Sequence, residues 1–72
     1  MDYPNSLLKA GQNIKLFRLE KGLSQEKLGH AAGISRSYMG AIERGETGAH
    51  IYVYYKLAKA LDISIETITK GT

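Results

Sequence analysis

The sequence predicts an all-α domain of five short helices. Three observations carry this. Apolar residues recur three and four apart, the helical period, in successive stretches of the chain. Serines and glycines punctuate those stretches where helices start and stop: Ser24, Ser35 and Ser64 at starts, Gly22, Gly33, Gly45 and Gly71 at ends. Finally, 72 residues make a single domain, 1–72, and leave no room for a second.

Pro4 and Asn5 open the first helix, with Asn5 or Ser6 as N-cap and Pro4 just outside it. From 7 to 21 the pattern is helical: Ile14 and Phe17 share a face, with Leu7, Leu8 and Gly11 one or two turns earlier. Gly22 stands where a left-handed C-terminal residue is needed, and Lys21 suits the negative end of the helix dipole. Leu16 and Leu19 fall off the Ile14–Phe17 face, as exposed leucines or as part of an interface. Ser24 is the natural N-cap of the second helix, with Glu26 in its first turn. That helix ends at Gly33, and Ser35 caps a third that runs to about Arg44.

Gly40, expected on the exposed side of the third helix, costs about 1 kcal/mol relative to alanine. Close approach of the backbone to something outside explains it, as does neutral drift. GETGAH, residues 45–50, is a loop of small residues. A fourth helix begins near Ile51, with His50 at the N-cap, a poorer choice there than serine or threonine. Asp62 ends it, and Ser64 with Glu66 starts a last short helix holding Ile65 and Ile68. The expected core is Ile14, Phe17, Leu23, Leu28, Ala32, Ile34, Met39, Ile42, Ile51, Tyr54, Leu57, Leu61 and Ile68.

Residues 25–44, QEKLGHAAGISRSYMGAIER, have the sequence shape of a helix-turn-helix. Leu28 and Ala32 share one face of the first helix; Ile34, Met39 and Ile42 supply the apolar side of the second; Gly33 sits between. Gly29 is small where the helices cross closely. In this arrangement the second helix is carried to the surface, where it can enter a DNA major groove.

Composition narrows the function further. A chain this short buries only about 60% of its unfolded surface, so its core is compact and its stability modest unless it self-associates. Ten Lys and Arg against seven Asp and Glu give a net charge of +3 and a pI near 9.3, which suits an anionic partner such as nucleic acid. Hydrophobic content of 43% is that of a globular domain and not of a disordered one. There is no cysteine, and His30 and His50 make no ligand set, so neither metal nor cofactor is expected. With no thiol, paired carboxylates, phosphate loop or His beside a nucleophile, an enzyme has no case and no small-molecule ligand is evident. The N-terminus, MDYPNSLLKAGQ, is not a signal peptide, and no apolar run approaches the ~18 residues of a membrane span. A cytoplasmic protein is expected.

Order and spacing together resemble the Cro/CI (XRE) family of helix-turn-helix transcriptional regulators, from about Leu8 to Ile68. Gly11, Ile14, Phe17, Arg18 and GLSQ at 22–25 match its first helix and the entry to its second. GISRSYMGAIERGE, 33–46, matches the turn, the recognition helix and its exit, and KLAKALDIS, 56–64, the fourth helix and following turn. The chain departs from the family at 47–55, where TGAHIYVYY replaces the usual polar-proline-threonine entry followed by leucines.

The resemblance implies a compact five-helix lambda-repressor-like domain that binds double-stranded DNA. Readout then falls to the start and outer face of helix 35–44. Arg36 is the first choice, because a guanidinium spans O6 and N7 of guanine; Ser35, Ser37 and Ala41 follow. Phosphate contacts fall to Gln25, Ser24, Tyr38, Arg44 and Thr47; for Tyr38, packing on the helix surface is the alternative. Arg18 and Glu43 match an ion pair that ties the first helix to the end of the recognition helix.

A homodimer follows from the geometry of such readers, with two recognition helices about 34 Å apart on a palindromic operator. Tyr52, Val53, Tyr55, Ile63 and Ile65, with Leu16 or Leu19, are the apolar positions left for the interface. Small controller proteins of restriction–modification systems and phage repressors are similar in length and layout. The competing reading is an antitoxin-like or regulatory module acting mainly through a protein partner.

Overall fold

The computed structural model describes residues 3–72. Among these, five helices follow in order: α1 (Tyr3–Glu20), α2 (Gln25–Ala32), α3 (Arg36–Glu43), α4 (Ile51–Leu61) and α5 (Ile65–Thr69). Each end has a local cause. Gly22, Gly33 and Gly45 adopt φ of 70°, 73° and 71°, left-handed values that cost little without a Cβ. The next residue then turns its N–H back over the helix end: Leu23 to the Arg18 carbonyl at 3.1 Å, Ile34 to Gly29 at 2.8 Å, Glu46 to Ala41 at 3.0 Å. Asp62, at φ 57°, closes α4 in the same way, with Ile63 N–H donating to the Ala58 carbonyl at 3.0 Å.

Helix starts rest on side-chain caps. Ser24, Ser35 and Ser64 accept from the backbone N–H of Lys27, Tyr38 and Thr67. His50 caps α4 although histidine is a poor choice: its Nδ1 lies 3.1 Å from Tyr52 N. Ser35→Ala is expected to cost about 1 kcal/mol in urea unfolding, because the Tyr38 N–H loses its acceptor; an unchanged midpoint would contradict this.

α1 starts before the expected cap. Asn5 and Ser6 lie inside the helix. Ser6 Oγ donates to the Thr72 carbonyl at 3.1 Å, while Asn13 Nδ2 donates to the carbonyls of Ile68 and Lys70 at 2.8 and 2.9 Å. These bonds lash α1 to the C-terminal segment.

The core joins Ala10 and Ile14 of α1, Leu28 and Ala32 of α2, Met39 and Ile42 of α3, Leu57, Ala58 and Leu61 of α4, and Ile68 of α5. Phe17, Leu23, Ile34 and Tyr54 pack half-buried at its edge. Ile51, expected inside, is 62% exposed. It lies two turns before Ala58 at the open start of α4, and the core margin there is filled by Ala49 and Val53 instead. α2 packs on α3 and α4, and α1 on α3 and α5. α1 meets the end of α3 at Gly11, where a Cβ would overlap the Ile42 carbonyl oxygen and lie 2.5 Å from that of Glu43.

Candidate nucleic-acid interface

Gly11, Ile14 and Arg18 share one face of α1, so the helix that closes on α3 carries a guanidinium inward with it. Arg18 Nε donates to Glu43 Oε2 at 2.6 Å and Nη2 to Oε1 at 3.1 Å, a bidentate pair. Nη1 donates to the Leu23 carbonyl at 2.7 Å, and Gln25 Nε2 to Glu43 Oε1 at 3.1 Å. Side-chain exposure is 9% for Arg18 and 2% for Glu43, so the carboxylate of α3 is turned away from solvent and neutralised. The network joins α1, the turn before α2, and the ends of α2 and α3. It fixes how α3 is presented. Every buried side-chain N or O among the described residues has a partner.

Outside this network, Gln25, Arg36, Ser37, Gly40 and Arg44 line one shallow groove between the start of α2 and the outer face of α3. Arg36 and Ser37 are exposed, and Ala41 is half-buried. Ser24 and Ser35 are exposed at the helix starts; their oxygens already accept capping bonds, which leaves their hydroxyl hydrogens to donate. Tyr38 packs half-buried against the core. Thr47 does not line the groove, and its Oγ1 donates to the Gly48 carbonyl at 3.2 Å.

Gly40 corrects the sequence expectation of an exposed glycine. It is buried, because Arg44 lies over it: a Cβ at 40 would stand 2.9 Å from Arg44 Nη1 and 3.5 Å from Gln25 Oε1. Arg44 pairs side-on with Glu46, Nε to Oε2 at 2.7 Å and Nη2 to Oε1 at 3.0 Å. The hydrogen bond, then the charge of Glu46, raises the Arg44 pKa. The bond from Arg44 holds Glu46 below the usual carboxylate value, against a desolvation that opposes it. The pair therefore stays ionised at neutral pH and opens only as pH falls through that lowered value. Its consequence is orientation, since exposed pairs add little stability.

A second surface lies on α4. Tyr52 and Tyr55 are 59% and 49% exposed, with rings stacked at 6.3 Å and 12°. Lys56 Nζ lies 5.0 Å from the Tyr52 ring centre, and Lys59 Nζ 6.0 Å from that of Tyr55. Beside them a groove is lined by Tyr55, Ala58, Ile63 and Ile65 together with Lys59, Asp62 and Ser64, while Val53 is half-buried against the core. Leu16 and Leu19 are exposed on α1.

Sequence reasoning missed the Gln25–Glu43 bond, the Asn13 contacts and the Arg44–Glu46 pair. Only the last is local enough to have been read from spacing. Among the described residues no group of three His, Cys, Asp or Glu could hold a metal ion, and no helix is long and apolar enough to cross a membrane.

Residues 14–68 match the family model described as helix-turn-helix (HTH_3), which takes in Arg18, the α2–α3 pair and Glu43 together. The chain belongs to the XRE-type helix-turn-helix family. The family is one of transcription regulators and not of enzymes. This XRE-type domain is 41% identical over 59 residues to the transcriptional regulator SinR of Bacillus subtilis, matching 81% of this chain and 53% of SinR. It thus spans about half the length of that relative. It superposes on the restriction-modification controller protein C.AhdI from Aeromonas hydrophila with a TM-score of 0.89 at 41% identity, covering 94% of this chain and 99% of the other. The N-terminal DNA binding domain of SinR aligns with a TM-score of 0.77 at 38% identity, covering 82% and 87%.

Proposed function

We propose that this XRE-type chain is a sequence-specific double-stranded DNA-binding regulator of transcription, acting as a homodimer on a palindromic operator. One observation carries the DNA reading. The outer surface of α2 and α3 is a polar groove bearing Arg36 and Arg44, while Glu43 of the same pair is turned inward and neutralised. Likeness to the DNA binding domain of SinR supports the same ligand. With α3 in the major groove, Arg36 bonds a guanine through O6 and N7, and Ser35, Ser37 and Ala41 lie against neighbouring base edges. Gln25 and Ser24 at the start of α2 take a phosphate, helped by the positive end of the helix dipole. Arg44 adds a phosphate contact, with the Tyr38 hydroxyl and Thr47 at the margin.

Salt dependence tests this. Fluorescence anisotropy with a labelled duplex should show affinity falling about 10²–10³-fold between about 50 and about 200 mM salt, as counterion release requires. A flat response with no duplex preference would favour the module that acts through a protein partner.

For the dimer, the second copy docks on the α4–α5 face, where Tyr52, Tyr55, Val53, Ile63 and Ile65 offer apolar surface not fully taken up by the core. Sedimentation should show a dimer in the wild type and a folded monomer in Tyr55→Glu/Ile65→Glu. A wild-type monomer at tens of micromolar, or a dimer unmoved by both substitutions, would remove this interface.

A further inference from the structure

We infer that Gly40 is a specificity-determining position and Glu46 a positioning residue: the empty site at 40 is the slot in which Arg44, clamped by Glu46, is held against the outer face of α3. The inference rests on the DNA reading above and deepens it: the edge of Arg44 that the clamp leaves open is directed at a base edge, in place of the phosphate contact given to Arg44 there.

Arg36, Gly40 and Arg44 stand four residues apart in succession, so they form one stripe along α3. Helical side chains lean toward the N-terminus of their helix, which directs Arg44 back over the preceding turn, at position 40. Any side chain there would occupy the space that Nη1 fills, since a Cβ would lie 2.9 Å from it. Glu46 takes one edge of the guanidinium, Nε and Nη2, and leaves Nη1 over Gly40 beside Gln25, inside the groove. A guanidinium held by one edge presents the other in a set direction and loses less freedom on meeting DNA.

The Cα atoms of Arg36 and Arg44 stand about 12 Å apart along the helix by its rise per residue, and the Arg44 guanidinium is carried back about one turn toward Arg36, so that both cations line the same groove. Glu46 faces the same side, and its carboxylate is tolerable beside phosphate only while Arg44 neutralises it.

The test is a double-mutant cycle on binding to the duplex the wild type selects, with a scrambled duplex as reference. Gly40→Ala should weaken selected-duplex binding about tenfold, the size of one well-oriented arginine contact. In an Arg44→Ala background the same change should cost less than about twofold, since the two positions act through one contact. The melting temperature of Gly40→Ala should not fall, because the atom displaced is the tip of a flexible side chain and alanine favours helix. Glu46→Gln should lower the ratio of selected to scrambled affinity; an equal rise on both duplexes would mean that Glu46 acts by charge alone and would overturn its positioning role. Equal costs of Gly40→Ala in both backgrounds, or no cost in either, would overturn the slot while leaving the DNA reading intact. A wild type that prefers no duplex would remove the DNA reading and the slot together.

Discussion

Arg18→Ala should destabilise the domain by about 3–5 kcal/mol, the cost of removing one member of a buried ion pair. The substitution strips Glu43 Oε2 of its 2.6 Å bond and Oε1 of one of two donors, and leaves the Leu23 carbonyl without Nη1. Gln25 remains beside a carboxylate whose side chain is 2% exposed, and one amide cannot replace a guanidinium there. Small domains start from a total stability of about 5–15 kcal/mol, so the substitution should remove a large fraction of it and, at the low end of that range, bring the variant close to its unfolding midpoint. Urea unfolding followed by circular dichroism measures the loss. Arg18→Met combined with Glu43→Leu should recover much of it, because the desolvated charge is then gone as well. Glu46→Gln, at the fully exposed pair, should leave the midpoint where it was. Equal and small effects at both pairs would contradict the account of the network.

Gly11→Ala should also be severe, at about 3 kcal/mol, the upper end of the range for overpacking. Alanine is normally the better helix former by about 1 kcal/mol, so local propensity predicts the opposite sign. What decides is the neighbour. The new methyl would overlap the Ile42 carbonyl oxygen and lie 2.5 Å from that of Glu43 and 2.8 Å from its carbon, all of them backbone. Relief requires α1 to back away from α3, which lengthens the Arg18–Glu43 bonds two turns further along. The two losses should therefore couple, with Gly11→Ala costing less once Arg18 and Glu43 have been replaced. Gly40→Ala is the matched control: the same chemical change inside a helix, against a movable side chain, with no loss of stability expected.

These contrasts mark what the sequence discloses and what it conceals. Ser24, Ser35, Gly22, Gly33 and Gly45 act within a few residues of themselves, so the boundaries of α2 and α3 are legible from local spacing. Leu28, Met39, Leu57 and Ile68 are buried as their periodicity predicts. The ties from α1 to the C-terminal segment are not legible, because their partners lie 55 to 66 residues apart in the chain. Ile51 shares the helical phase of the core yet sits where α4 has run past it, and phase alone carries no depth. At the candidate site, Arg36 and Ser37 are readable as outer positions from the motif. The burial of Gly40 is not, since it depends on where the side chain of Arg44 comes to rest. Nor is the tie from Gln25 to Glu43, whose partners meet only once α2 has packed on α3.

The central claim is that α3 reads base edges with Arg36 at its head. Selecting bound duplexes from a random pool, in parallel for the wild type and Arg36→Ala, tests it most directly. The wild type should select an inverted repeat, with half-site centres about one helical turn apart. Arg36→Ala should lose about tenfold of discrimination, a bidentate arginine–guanine contact, at one symmetry-related position and leave the others in place. An inverted repeat whose every position is unchanged in Arg36→Ala, or no enriched duplex at all, would contradict the claim.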